Sequence, residues 1–119
     1  MNAEEIRDYC LAKKGVTESF PFGGDVLVFK VMEKVFALLP LEAKPLRINL
    51  KMYESLVPEY REKYSGVLEG YHMNKKHWNT VSTEETDVSP KEIRWMIDHS
   101  YEMIVIKFTE SAKELLKNL

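Results

Sequence analysis

The chain has 119 residues, 45% hydrophobic and 30% charged, with a formal net charge of −2 and a single cysteine. One hydrophobic core absorbs this length, so one domain spanning residues 1–119 is expected, and the composition excludes a disordered or low-complexity chain. Lone Cys10 excludes an internal disulfide, no apolar run approaches the roughly 20 residues of a membrane span, and "MNAEEIRDYC" lacks the basic start and apolar run of a secretion signal. A cytoplasmic protein with no membrane partner is expected.

In chain order, Asn2 followed three residues later by Glu5 predicts a capped helix start. Ala3, Ile6, Tyr9, Cys10 and Lys13 then share one stripe of a helix over 3–14, which Gly15 ends. "FPFGGD" (20–25) holds a short strand or only a turn. From Val26 the period changes to two: Val26, Val28 and Lys30 alternate with Leu27, Phe29 and Val31, and Glu33-Lys34 sits where a two-residue hairpin turn belongs. "VFALL" returns and Pro40 ends it. In "LRINLK" the residues Leu46, Ile48 and Leu50 point inward and Arg47, Asn49 and Lys51 outward, a half-buried strand with a basic outer face.

"MYESLVPEYREKYSG" (52–66) is helical, but Pro58 disfavours helical geometry at Val57, so the segment is broken or begins its main turn there. "GVLEGYHM" (66–73) and "HWNTVS" (77–82) form two further strands around a turn at Asn74-Lys75-Lys76. Ser89, Pro90 and Glu92 assemble a capping box, followed at helical spacing by Ile93, Met96, Ile97, Ser100, Tyr101, Ile104, Val105 and Phe108. Thr109 caps a last short helix whose Leu115, Leu116 and Leu119 pack back or toward a partner. The order α-β(3)-α-β(2)-α predicts an α+β two-layer sandwich: an antiparallel sheet of about five strands with helices on one face.

Catalytic chemistry finds no support in the residues. His72 and His77 lack a third ligand, and the lysines between them repel a cation, so no metal is expected. Cys10 lies on an apolar stripe, where a thiol is an inert small hydrophobe. His99 and Ser100 diverge by about 100° on a helix. Glu4, Glu5 and Asp8 fit a solvated helix start that the dipole favours. No phosphate-binding, dinucleotide or nucleophile-elbow motif occurs, so no cofactor is expected and the chain is not expected to be an enzyme. Charge is uneven, however. Residues 30–51 carry five basic side chains (Lys30, Lys34, Lys44, Arg47, Lys51) against Glu33 and Glu42, and residues 71–81 add Lys75 and Lys76 unopposed. If these segments share a face, the molecule has a basic side suited to phosphate. Trp78 is expected in the core.

"FPFGGDVLVFKVMEKVFALL", "RINLK", "GYHMNKKHWNTV" and "IDHSYEMIV" occur in the order they have in the MmcQ/YjbR family of small bacterial proteins, which the chain resembles over nearly its whole length. The resemblance implies a fold like that of secretion chaperones and frataxins, and a predicted DNA-binding "double-wing". Lys30, Lys34, Asn49, Lys51, His72, Asn74, Lys75, Lys76, His77 and Trp78 match its motif positions; Glu33 departs from a glycine common in the family. With Arg47 added from the strand pattern, Lys30, Lys34, Arg47, Asn49, Lys51, His72, Asn74, Lys75, Lys76 and His77 form the candidate DNA-contacting set. The expectation is a DNA-binding protein, monomer or homodimer. The alternative is a chaperone-like module that binds a protein or small ligand. An apolar concave groove would favour the second and a continuous basic face the first.

Overall fold

The computed structural model describes residues 1–70 and 73–119; Tyr71 and His72 lie outside the described residues, and the strand expected over 66–73 is shorter, running over Val67–Glu69 with Gly70 and Met73 outside it. The elements are α1 (Ala3–Leu11), β1 (Val16–Ser19), β2 (Val26–Val31), β3 (Lys34–Pro40), β4 (Arg47–Lys51), α2 (Leu56–Lys63), β5 (Val67–Glu69), β6 (Trp78–Ser82), α3 (Pro90–Val105) and α4 (Glu110–Lys117). Six strands form one open sheet in the order β1-β2-β3-β4-β6-β5, with every neighbouring pair antiparallel. The α+β two-layer architecture is as expected, with one strand more.

The core lies between the helices and one sheet face. Ile6 and Cys10 of α1 and Ile93, Met96 and Ile97 of α3 are fully buried against Phe29, Val31, Phe36, Leu39, Ile48 and Leu50. Tyr101 meets the Phe36 ring edge-on, centroids 5.5 Å apart. Ile104 is only half-buried at the margin. The α1 cap is complete: Glu5 N–H donates to Asn2 Oδ1 at 2.8 Å, and Asn2 N–H to Glu5 Oε1 at 3.0 Å. At α3, Ser89 Oγ accepts from Glu92 N–H at 3.2 Å, with Pro90 in the first helical position.

Three local expectations change. α1 ends at Leu11, three residues early, and Lys13 just beyond it places its ammonium on the Asp98 carboxylate, beside the Tyr9 and Tyr101 rings. β1, "VTES", was not expected: four half-exposed residues carry too little apolar pattern, and it exists by pairing along the edge of β2. The first hairpin turns at Met32-Glu33 (φ 45° and 72°), with Val31 opposite Lys34, so a glutamate does occupy a left-handed position. Of the two alternatives for 52–66, the helix that begins near Pro58 is the one found: α2 starts at Leu56 and Pro58 falls in its first turn, where no backbone N–H is needed. Leu116 of α4 is buried, while Leu115 and, beyond the helix, Leu119 are exposed.

A bulge interrupts the hairpin. Register shifts between Phe29 and Lys30, leaving Phe36 without a partner of its own on β2. The fully buried Ser100 of α3 repairs it: its Oγ donates to Phe36 C=O at 2.6 Å and accepts from Lys51 N–H at 2.9 Å. The bulge also returns Val35, paired with Lys30, to the face away from the helices.

Candidate functional site

That second face is concave and apolar. Val28 and Leu38, opposite each other in register, are buried without belonging to the helix-side core. Around them opens a cleft of about 870 Å³. Its floor is built by Val26 of β2, Val35, Leu38 and Pro40 of β3, Arg47 and Asn49 of β4, and Trp78 and Thr80 of β6. Phe22 from the β1–β2 loop, Ala43 from the β3–β4 loop and Met73 from the β5–β6 loop form the rim. Phe22 is 71% exposed even so, carried on a loop where Gly23 and Gly24 adopt positive φ (71° and 60°). Among the described residues, nothing lies within 4 Å of where a Cβ would stand on either glycine.

The outward set Arg47, Asn49 and Lys51 therefore meets three environments rather than one basic surface. Asn49 is buried, its Oδ1 accepting from Thr80 Oγ1 at 2.5 Å. Arg47 is half-buried in the cleft, and its enclosed Nε has no hydrogen-bond partner among the described residues. Lys51, at the end of β4, has its amine held below the ordinary lysine value, first by burial and then by Lys107. Trp78 corrects an expectation outright. It pairs with Lys51 in register, is half-buried, and lines the cleft rather than the helix-side core.

The remaining candidates collect at one end of the sheet. The Met32-Glu33 turn and the 74–77 turn project from the same end, since β4 finishes there and β3 and β6 begin there. Lys34, Lys75 and Lys76 are exposed; Lys30 and His77 are half-buried. Asn74 folds the second turn, its Oδ1 accepting from Lys76 N–H at 2.9 Å and its carbonyl from Trp78 N–H at 3.0 Å. Lys76 Nζ lies 3.4 Å from Glu54. His72 lies outside the described residues, so the His72–His77 pairing does too. Among the described residues no three metal-ligating side chains cluster.

Arg61, passed over in the sequence, holds this hairpin to α2. Its Nε donates to Asn79 Oδ1 at 2.6 Å, and its Nη2 to the carbonyls of Lys75 and Trp78 at 2.6 and 3.1 Å. Gly70 permits the close approach: a Cβ there would lie 2.8 Å from Trp78 O. Away from the cleft, burial pushes the Cys10 thiol up to about 12, so it is undissociated at neutral pH. No helix among the described residues is long and apolar enough to cross a membrane.

Comparison with known proteins places this geometry in a family. A family model described as YjbR matches residues 11–103. Uncharacterized protein YjbR of Escherichia coli K12 is 30% identical over the full length of both chains. Uncharacterized protein YbdF of E. coli O157:H7 is 37% identical over 72% of this chain and 70% of its own. Among solved structures, a Deinococcus radiodurans protein with a DUF419 domain superposes with a TM-score of 0.90 at 31% identity, covering 98% of this chain and 88% of that one. A Pseudomonas syringae protein follows at 0.75 and 32% identity, over 87% and 98%.

Proposed function

The chain belongs to the YjbR family, and we propose that it is a non-catalytic cytoplasmic binding module whose ligand occupies the open face of the sheet. One observation carries this: the face is concave and lined mainly by apolar side chains, yet no helix among the described residues lines it. A two-layer domain gains nothing from Val26, Val35, Pro40, Phe22 and Trp78 reaching water, and such a patch is the usual mark of a binding site. Its volume of about 870 Å³ falls within the range of small-molecule sites, roughly 300–1,000 Å³. Phosphate backbones need cations on an accessible surface, and here Arg47 is sunk in the cleft.

The test is titration with a neutral solvatochromic naphthalene dye. Wild-type protein should bind it with a blue-shifted emission. Val35→Glu, which sets a charge in the floor, should weaken binding at least about tenfold with an unchanged circular dichroism spectrum. Absence of dye binding by wild type, or binding indifferent to Val35→Glu, refutes the cleft as the site.

A second reading, duplex DNA binding by a double wing, is favoured by the placement of both hairpin turns at one sheet end with Lys30, Lys34, Lys75 and Lys76. Against it stand Glu33 at the tip of the first wing and Glu54 beside Lys76. Phosphate contact there requires affinity to fall with salt, and Lys75→Ala with Lys76→Ala to flatten the log–log slope by about two. No binding at low salt removes it.

A further inference from the structure

We infer that the cleft ligand is a small amphipathic monocarboxylate, its carboxylate held by Arg47 and its apolar body laid along Leu38, Pro40 and Trp78. This rests on the cleft being a binding site and adds the chemistry of what it takes. Arg47 is the point of departure. Its Nε is enclosed and lacks an acceptor among the described residues, and none of the ion pairs found there involves it. The contrast with other arginines is direct. Arg7 spends Nε on Glu18 at 2.7 Å, and Arg61 spends Nε on Asn79 at 2.6 Å. A guanidinium stays charged at any physiological pH, so an enclosed donor on it destabilises the empty protein until an acceptor arrives.

Among the described residues none supplies that acceptor. No acidic residue is among the described residues lining the cleft. A carboxylate matches the planar fork of a guanidinium in shape, and its one negative charge matches the single cation present; a phosphate dianion would leave charge uncompensated in apolar surroundings. Asn49 stands two residues along the same strand on the same face. Its Oδ1 is occupied by Thr80, so its NH₂ is the end left to offer to a second oxygen. The rest of the lining is apolar and suits a hydrocarbon or aryl body, which Phe22, on its glycine-flanked loop, is placed to cover.

The test is calorimetric titration with decanoate, decanol and decyltrimethylammonium at fixed ionic strength, on wild type and Arg47→Gln. Decanoate should bind wild type at least about tenfold tighter than decanol, and the cation most weakly. Arg47→Gln should erase the preference, decanoate then binding no tighter than decanol. If Arg47→Gln fails to fold, Asn49→Asp takes its place and should weaken decanoate selectively by setting a negative charge beside the headgroup. Decanol and decanoate binding alike, or a carboxylate preference that survives both substitutions, overturns the inference while the cleft reading stands. If neither decanol nor decanoate binds, the cleft reading falls and takes the inference with it.

Discussion

Ser100→Ala is the most demanding test of the fold that shapes the cleft. The hydroxyl is fully buried and serves two backbone groups of different strands, Phe36 C=O at 2.6 Å and Lys51 N–H at 2.9 Å. Alanine fits the space but satisfies neither. A buried backbone group left without a partner costs roughly 1–3 kcal/mol, and with some relaxation the pair should cost about 2–4 kcal/mol. That is a large part of the roughly 5–15 kcal/mol that holds an ordinary domain together. With a urea m-value near 2 kcal/mol/M, typical for this size, the midpoint should fall by about 1–2 M with m unchanged. Exposed Ser111→Ala, as a control, should stay within about 0.5 kcal/mol of wild type. A Ser100→Ala loss no larger than the control's would show that the bulge finds its partners elsewhere.

Three other outcomes are expected. Ser89→Ala should cost about 0.5–2 kcal/mol in urea melts, because Glu92 N–H loses its acceptor at the start of α3. Burial holds the His99 imidazole below its ordinary 6.5, and its Nε2 accepts from Tyr53 N–H at 3.1 Å, so the fold requires the neutral ring. The unfolded chain therefore takes up this proton first: the His99 contribution is complete above about pH 6.5 and declines as pH falls toward the lower folded value. The stability gap between wild type and His99→Gln should narrow between about pH 7.5 and pH 5, and a gap that is constant or widens on acidification contradicts this. Trp78→Ala should weaken dye binding while costing less than the roughly 3–5 kcal/mol of a core tryptophan, since the ring is half-buried on the cleft side. A full core-sized loss in urea would return Trp78 to a purely structural role.

Much of the fold was legible because local chemistry and tertiary packing agree. Asn2 with Glu5, and Ser89 with Pro90, mark helix starts whose stripes, Ile6 with Cys10 and Ile93 with Met96, Ile97 and Tyr101, face the core as their spacing requires. Failures fall where a long-range contact decides. β1 is a strand only because β2 offers an edge, and Lys13, just beyond the early end of α1, reaches a residue 85 positions away. The Met32-Glu33 turn is displaced by one residue because the bulge consumes an extra residue of β3.

The site was half legible, and the half that was missed follows from treating β4 by itself. Alternation in "RINLK" correctly separates Ile48 and Leu50 from Arg47, Asn49 and Lys51, but it does not say whether the second face meets water. The neighbouring strands do. "VLVFKV" and "VFALL" are apolar at successive positions, as strands covered on both faces are, whereas a sheet open to water on one side needs alternation. Placed beside them, the outward residues of β4 inherit an apolar setting. Arg47 and Lys51 are four residues apart on the same face, so about 13 Å of strand separates them. Over that span the environment changes from the cleft, where Arg47 Nε is enclosed, to the strand end near the hairpins, where burial first and then Lys107 oppose the lysine's charge. An arginine keeps its charge when buried, whereas a lysine sheds it more readily. The strand thus carries the more persistent cation at the position where solvent is least able to stabilise it, an arrangement that favours an anionic ligand over a bare surface.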